Sequence, residues 1–376
     1  MAEKVLKRID WMLVLFILPI ISFGLITMKN FNIGTDGGIF FNKQIIWVLI
    51  SFIVFVLFSF LDFRFLKRTD VLVFLFLIFC GILLVLFVLG NISNGAQSWF
   101  KFGLFSFQPA DMMKVVLILI LAKYFSRRHV EIRNLKHIFI SGLYALVPFM
   151  LVFLQPDFGS AMVIFFIWFG MVLVSGISKT HLFFVLISGI LIFITLWSFI
   201  FAPYQKARIL TLINPTSDVT GSGYNVFQST IAVGSGQVLG KGVGFGTQSR
   251  LQFLPEPQTD FIFAAFAEEW GFIGSMLLII LFGLVIWRIL YTASLGATNF
   301  ETLFGLGIAI FFMSHIIVNV GMNLGIMPVT GIPLPFMSYG GSHLLAEFSA
   351  LGILMSMRRY SRNVHRDDTK YEFLGA

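Results

Sequence analysis

The sequence predicts an all-α, polytopic membrane protein with about ten transmembrane helices and a long extracytoplasmic loop between spans 7 and 8, forming a single domain over 1–376. Three observations lead there. Mean hydropathy is +0.93, only 12% of the residues are charged, and apolar runs of about twenty residues, the length a bilayer core requires, recur along the whole chain.

The run 11–28 follows a basic start (Lys4, Lys7, Arg8) and has no small-residue cleavage site behind it, which makes it a signal anchor. Runs 44–61 and 71–89 are separated by Arg64, Lys67 and Arg68. The short run 112–125 ends among Lys123, Arg127 and Arg128, and runs 137–154 and 159–175 are parted by Gln155-Pro-Asp-Phe-Gly159. Run 181–202 opens after Lys179, and the polar stretch 203–260 follows it. Runs 261–290, 300–322 and the short 343–357 complete the set, with 358–376 as a basic, solvated tail.

An even number of spans puts both termini on one side, and the basic residues choose that side. Eighteen of the 26 lysines and arginines flank the runs on the side of the termini; seven lie opposite, four of them in the long loop. The positive-inside rule therefore places residues 1–10 and 358–376 on the cytoplasmic side, and 203–260 outside. Within that loop, 225–233 is apolar enough for a short interfacial helix and the glycine-rich 234–246 is expected to be mobile. Cys80 is the sole cysteine, which excludes a disulfide framework and a cysteine metal cluster. The pI near 9.6 reflects these short basic loops and not a nucleic-acid partner.

Four segments depart from plain membrane helix: Gly95 to Lys114, Gln155 to Gly159, Leu239 to Asp260, and Pro333 to Ser342. All four fall on the outer side. Each has a modest explanation. Asp157 and Asp260 stand at helix starts, where a carboxylate caps free N–H groups; Asp111 and Lys114 are spaced for a local ion pair; Trp99 is suited to the interface, and the last motif's glycines and prolines to a turn. Their convergence on one face favours function, because ionisable groups inside a membrane are costly. Gly242-x-Gly244-x-Gly246 and Gly240-Lys241 lack the context of a nucleotide site. His315, Asn319 and Asn323 form a polar stripe suited to interhelical hydrogen bonds, with a substrate groove as the second reading. Glu268 and Glu269 read as buried partners of a cation or backbone donor.

Five motifs carry a resemblance: Gln155-Pro-Asp-Phe-Gly159, Gly244-Phe-Gly246, Phe253-Leu-Pro-Glu-Pro-Gln-Thr-Asp-Phe-Ile-Phe-Ala264, Glu268-Glu-Trp-Gly-Phe-Ile-Gly274, and the sixteen residues from Met327 to Ser342. Over about Trp11 to Arg359 the chain resembles the SEDS family of bacterial shape, elongation, division and sporulation proteins. The Thr330-Gly-Ile-Pro-Leu-Pro-Phe336 wording resembles the elongation branch, and Gly95-Ala-Gln-Ser-Trp-Phe100 lacks the arginine common in the division branch. The resemblance implies a peptidoglycan glycosyltransferase that polymerises lipid II outside the membrane. It also implies a class B penicillin-binding transpeptidase and other elongation-complex membrane proteins as partners. By motif match Asp260 takes the position of the family's essential carboxylate, and Lys114 and Asp157 match polar residues around the same cavity. Asp111 stands where the family usually has glutamate, one methylene longer.

The chemistry of such a polymerase needs an apolar groove for the lipid, cations for a pyrophosphate and a base for an acceptor hydroxyl. Asp260 is the candidate base. Lys114, Arg208 or Arg250, or a divalent cation (Mg2+ or Mn2+), would meet the charge on the leaving pyrophosphate, and Ser342 is a further supporting candidate. In a second reading Lys114 pairs with Asp260 and lowers its proton affinity. A lipid II flippase or other transporter is the alternative function and would need ionisable groups through the depth of the bilayer; a scaffold would leave the polar collection unexplained.

Overall fold

The computed structural model describes residues 9–29, 31, 37–93, 96–102, 105–127, 135–214 and 221–372. Residues 1–8 and 373–376, parts of the two expected cytoplasmic ends, lie outside the described residues. Helices follow the apolar runs, since a chain in hydrocarbon must satisfy its backbone internally. They are α1 (Trp11–Lys29), α2 (Gly37–Phe60), α3 (Thr69–Leu89), α4 (Pro109–Ser126), α5 (Leu135–Leu154), α6 (Phe158–Val174) and α7 (Lys179–Thr195). The outer segment holds α8 (Pro203–Ile213), α9 (Ser222–Ser235) and the single turn α10 (Thr247–Arg250). The last three are α11 (Ile262–Ser294), α12 (Asn299–Asn323) and α13 (Gly341–Glu372). Seven of them are long and apolar enough to cross a membrane: α1, α2 from Phe40, α3, α5 from Lys136, α7 extended to Phe199, α11 and α12. α4, α6 and α13 stand where the other three spans are expected.

α12 is the hub. Two thirds of its most apolar window is buried against none of α7's, and it packs on α4, α6, α11 and α13, while α13 also lies along α2. Outward side chains such as Phe74, Leu77 and Val88 are exposed and apolar, as a lipid-facing surface requires. At the end carrying the termini, Asp10 accepts hydrogen bonds from Arg288 (2.8 Å) and from Arg358, tying the start of α1 to α11 and α13. Burial pushes the Asp10 carboxyl up, but the Arg288 hydrogen bond and the Arg358 charge outweigh it and hold the group below its usual range.

The structure adds detail to the sequence reading at two places and corrects it at a third. The connection between α3 and α4 forms a small antiparallel sheet, β1 (Asn91–Ser93), β2 (Ala96–Phe102) and β3 (Phe105–Phe107). The expected continuous span 261–290 is broken at Gly271, whose φ of 66° and ψ of −163° interrupt α11. There the outer loop replaces two helical bonds: Glu268 and Glu269 carbonyls accept from Lys241 N and Gly242 N, and Phe272 N and Ile273 N donate to the Gln237 and Val238 carbonyls. The four groups of those two bonds are thereby satisfied. A Cβ on residue 271 would lie 2.3 Å from Gly240 N, so only glycine fits the splice. The correction follows, because the stretch 234–246 expected to be mobile is bonded into a helix. Likewise the helix expected at 225–233 exists within α9, but it buries Val226, Ser229 and Ala232 against the protein.

Candidate active site

Asp260 is carried by a short tether between two anchors. Leu254 and Phe261 are buried on either side of it in a cluster with Val226, Ala264, Ala265 and Val329, while Asp260 itself is half-buried. The tether is gripped from the connection between α12 and α13. Ser338 Oγ donates to the Thr259 carbonyl (2.6 Å) and accepts from Leu334 N (2.7 Å), and Tyr339 N donates to the Gln258 carbonyl (2.8 Å). From α12, Asn319 and Asn323 both donate to the Asp260 carbonyl, at 3.0 and 3.1 Å. The polar stripe on α12 is thus an interhelical hydrogen-bond ladder, with His315 Nδ1 3.3 Å from the Pro333 carbonyl.

Around the carboxyl the charges are mixed. Desolvation raises the Asp260 pKa to about 7, helped by the Glu256 and Asp157 carboxylates and opposed by the Arg208 guanidinium on α8 and a hydrogen bond from Thr259. Asp157 serves two roles: its Oδ1 caps α6 by accepting from Ser160 N (3.0 Å), and its Oδ2 accepts from Gln108 Nε2 (2.7 Å). Gly331, at φ +74°, leaves the carboxyl an open side, since a Cβ there would sit 3.4 Å from Asp260 Oδ2.

Lys114 does not join this group. It is buried on α4 and lies 3.0 Å from Asp111 Oδ1, so the ion pair expected between Lys114 and Asp260 is not formed, and the proton affinity of Asp260 is raised instead of lowered. The physical reason is proximity: an acid one helical turn away reaches the ammonium first. Ser342 Oγ (3.3 Å) and His343 Nδ1 (3.4 Å) also approach Asp111, and His343 Nε2 lies 3.0 Å from Glu347, whose other oxygen accepts from Phe336 N. Lys114, Asp111 and Ser342 therefore belong to a sealed network behind the last motif. His343 was not singled out from the sequence, although its spacing from Glu347 is that of a helical pair.

Glu268 and Glu269 are buried and accept hydrogen bonds from the outer loop, as the sequence suggests. Glu268 accepts from Lys241 Nζ (2.7 Å), Thr247 N (2.8 Å) and Gln248 N (3.1 Å), and Glu269 Oε1 from Gly244 N (3.0 Å). The glycine motif that mimics a nucleotide loop thus holds a glutamate of its own chain. Arg250 is exposed on α10, and among the described residues no hydrogen bond or ion pair links it to Asp260. Glu256 completes the site although the sequence reading passed over it. No three His, Cys, Asp or Glu side chains among the described residues gather as a metal cage would.

Comparison with known proteins gives the chain a family. The sequence profile of the FtsW/RodA/SpoVE cell cycle proteins matches residues 5–363. Peptidoglycan glycosyltransferase MrdB of Escherichia coli (strain K12) is 40% identical over 287 residues, spanning 76% of this chain and 77% of that protein. Among solved structures, a chain of a peptidoglycan synthase complex, described as coordinating polymerization and crosslinking, superposes with a TM-score of 0.79. It is 32% identical and the match covers 94% of this chain and 98% of that one. The crystal structure of the rod shape determining protein RodA of Thermus thermophilus gives a TM-score of 0.68 at 28% identity, over 93% and 96% of the two chains.

Proposed function

The chain belongs to the FtsW/RodA/SpoVE family of multi-pass membrane proteins, and from that premise we propose that it is a peptidoglycan glycosyltransferase polymerising lipid II, with Asp260 as general base. The observation that carries the assignment of the base is the Asp260 carboxyl itself, half-buried, open on its Gly331 side and with a pKa of about 7. A base of that affinity is ionised in a large fraction of molecules at neutral pH and still accepts a proton readily.

In this reading Asp260 takes the proton of the acceptor sugar's 4-hydroxyl as that oxygen attacks the anomeric carbon of the lipid-linked donor. The bond to the polyprenyl pyrophosphate breaks, and an α-linked donor yields a β-1,4 glycan by inversion. Negative charge grows on the departing pyrophosphate, and Arg208 is the cation whose field already reaches Asp260. A divalent cation would have to be shared with the substrate's own phosphates, the usual arrangement for Mg2+. Lys114, Asp111 and Ser342 support the site from behind, and Asp157 adds a helix-capping carboxylate at its edge.

The chemistry requires Asp260 outside the cell, which agrees with cytoplasmic termini and an extracytoplasmic 203–260 segment within one domain. Cell elongation as the setting is supported by the likeness to the Thermus RodA structure. The likeness to a chain of a synthase complex supports a class B penicillin-binding transpeptidase as partner, alongside other elongation-complex membrane proteins. The test is Asp260→Asn in the purified full chain in detergent with labelled lipid II. Loss of glycan with folded protein retained is expected; undiminished polymerisation would remove Asp260 from the mechanism. Polymerisation by the parent in detergent, where no leaflet is crossed, separates the enzyme from a lipid transporter.

A further inference from the structure

The Asp260 peptide is held more tightly than a loop next to a helix ordinarily needs. Its carbonyl oxygen accepts two hydrogen bonds from two amides one helical turn apart on α12, Asn319 Nδ2 at 3.0 Å and Asn323 Nδ2 at 3.1 Å. Both asparagines are fully buried. Their amide orientations are fixed by their neighbours, because Asn319 Nδ2 also faces the Ile332 carbonyl (2.7 Å) and Asn323 Nδ2 the Asn319 carbonyl (2.8 Å), which demand donors. The remaining oxygen of Asn323 accepts from Ala264 N (3.1 Å).

That last bond has a specific purpose. The residue preceding α11 is Phe261, whose side chain cannot cap the free N–H groups of the first turn. Asn323 supplies the missing acceptor from another helix, and with its NH2 it grips the peptide one residue before the cap. Asn319 in turn ties the same carbonyl to Ile332, next to Gly331 on the open side of the carboxyl. One dyad therefore connects three parts: the tether, the first turn of α11 and the loop that borders the reacting side chain. A peptide fixed by its carbonyl on both lone pairs fixes the direction of its Cα–Cβ bond.

We propose that Asn319 and Asn323 are positioning residues that aim the Asp260 carboxylate at the acceptor hydroxyl, through the Asp260 backbone carbonyl. This rests on Asp260 being the base. The dyad touches no substrate atom; it acts on where the base stands, and a misplacement of about 1 Å can cost on the order of 100-fold in rate.

Two variants of the full chain test it, assayed in detergent with labelled lipid II beside the parent and Asp260→Asn. Asn319→Leu keeps the number and branching of the side-chain heavy atoms and removes both donors. Asn323→Ser removes the amide that reaches the Asp260 carbonyl and leaves a small neutral side chain, so it buries no charge and carries the test should Asn319→Leu fail to fold. The expected result is a kcat about 10- to 100-fold lower and a KM for lipid II within about twofold of the parent, with Asn323→Ser still folded and losing only the stability of one helix cap, about 1 kcal/mol. In Asn319→Leu the midpoint of the pH–rate profile also falls, because a carboxyl free to swing toward water is less desolvated. Parent-like kcat in both variants, or activity lost only in step with thermal stability, overturns the proposal. Retained activity in Asp260→Asn overturns the reading it rests on, and the two failures are thereby told apart.

Discussion

Lys114 Nζ and Asp111 Oδ1 lie 3.0 Å apart, with both side chains 2% exposed. A pair so enclosed has lost its water and depends on its partner. Removing one member leaves a bare charge at a cost of about 3–5 kcal/mol, whereas replacing both with apolar groups is often neutral. Lys114→Met should therefore unfold at a markedly lower temperature than the parent, and Lys114→Met/Asp111→Leu should recover most of the loss. Charge reversal, Lys114→Glu, puts two carboxylates together near Glu347 and should abolish the folded protein together with its activity. Thermal unfolding in detergent checks all three; a fully stable Lys114→Glu would show that the lysine faces open solvent or substrate.

The Asp260 pKa of about 7 sets the pH dependence of the proposed reaction. A base works ionised, so kcat/KM should rise with pH to a midpoint near 7. Arg208 favours the ionised form and Glu256 opposes it, so Arg208→Leu should move the midpoint up and Glu256→Gln should move it down. Stability runs the other way. A carboxyl whose folded pKa is raised contributes stability that is fully present below its ordinary value of 3.8 and lost as pH rises through about 7. Asp260→Asn should accordingly raise the melting temperature more at pH 8 than at pH 4. An equal effect at both would mean that the carboxyl titrates normally.

What the sequence made legible, and what it concealed, follows from the range of the forces involved. Apolar runs report helices because hydrocarbon demands internal hydrogen bonding, and Phe261 after Asp260 marks where polar chain enters protein. The break at Gly271 was not legible. Apolar residues continue on both sides of it, and the bonds that make it possible come from Gln237 to Gly242, some thirty residues upstream. Lys114 presented two partners at the sequence level, a local acid and a distant one, and the structure chose the local one. Glu268 and Glu269 were readable as buried acids, but their donors were not, because backbone N–H groups carry no sequence signature.

Glu268 should control the outer loop. Its buried carboxylate receives Lys241 Nζ, Thr247 N and Oγ1, and Gln248 N within 3.1 Å. Glu268→Ala leaves several donors without an acceptor, and hydrogen bonds to a charged group contribute about 1.5–3 kcal/mol each without adding fully. The expected loss is about 3 kcal/mol, with faster amide hydrogen exchange over Lys241 to Ser249. Lys241→Met removes one partly exposed donor and should cost about 1 kcal/mol or less. Unchanged exchange in Glu268→Ala would mean that the loop is held by its splice into α11 alone.

Gly331 offers a way to alter the environment of Asp260 without touching its charge. Its φ of +74° places an alanine in the left-handed region, at a cost of about 1–2 kcal/mol. The new methyl would lie 3.4 Å from Asp260 Oδ2, an ordinary contact that displaces water from the carboxylate and not a clash. Desolvation disfavours the ionised form, so the midpoint of the pH–rate profile should rise in Gly331→Ala. Gly325→Ala is the control: its φ is +70°, but its Cβ would meet Thr230 and Val226 side chains instead of a carboxylate. Both variants should lose stability, Gly325→Ala the more because its methyl would press on Thr230 at 3.1 Å and Val226 at 3.3 Å, and only Gly331→Ala should move the midpoint. A shift of equal size in both would trace the effect to backbone strain and detach it from the Asp260 carboxyl.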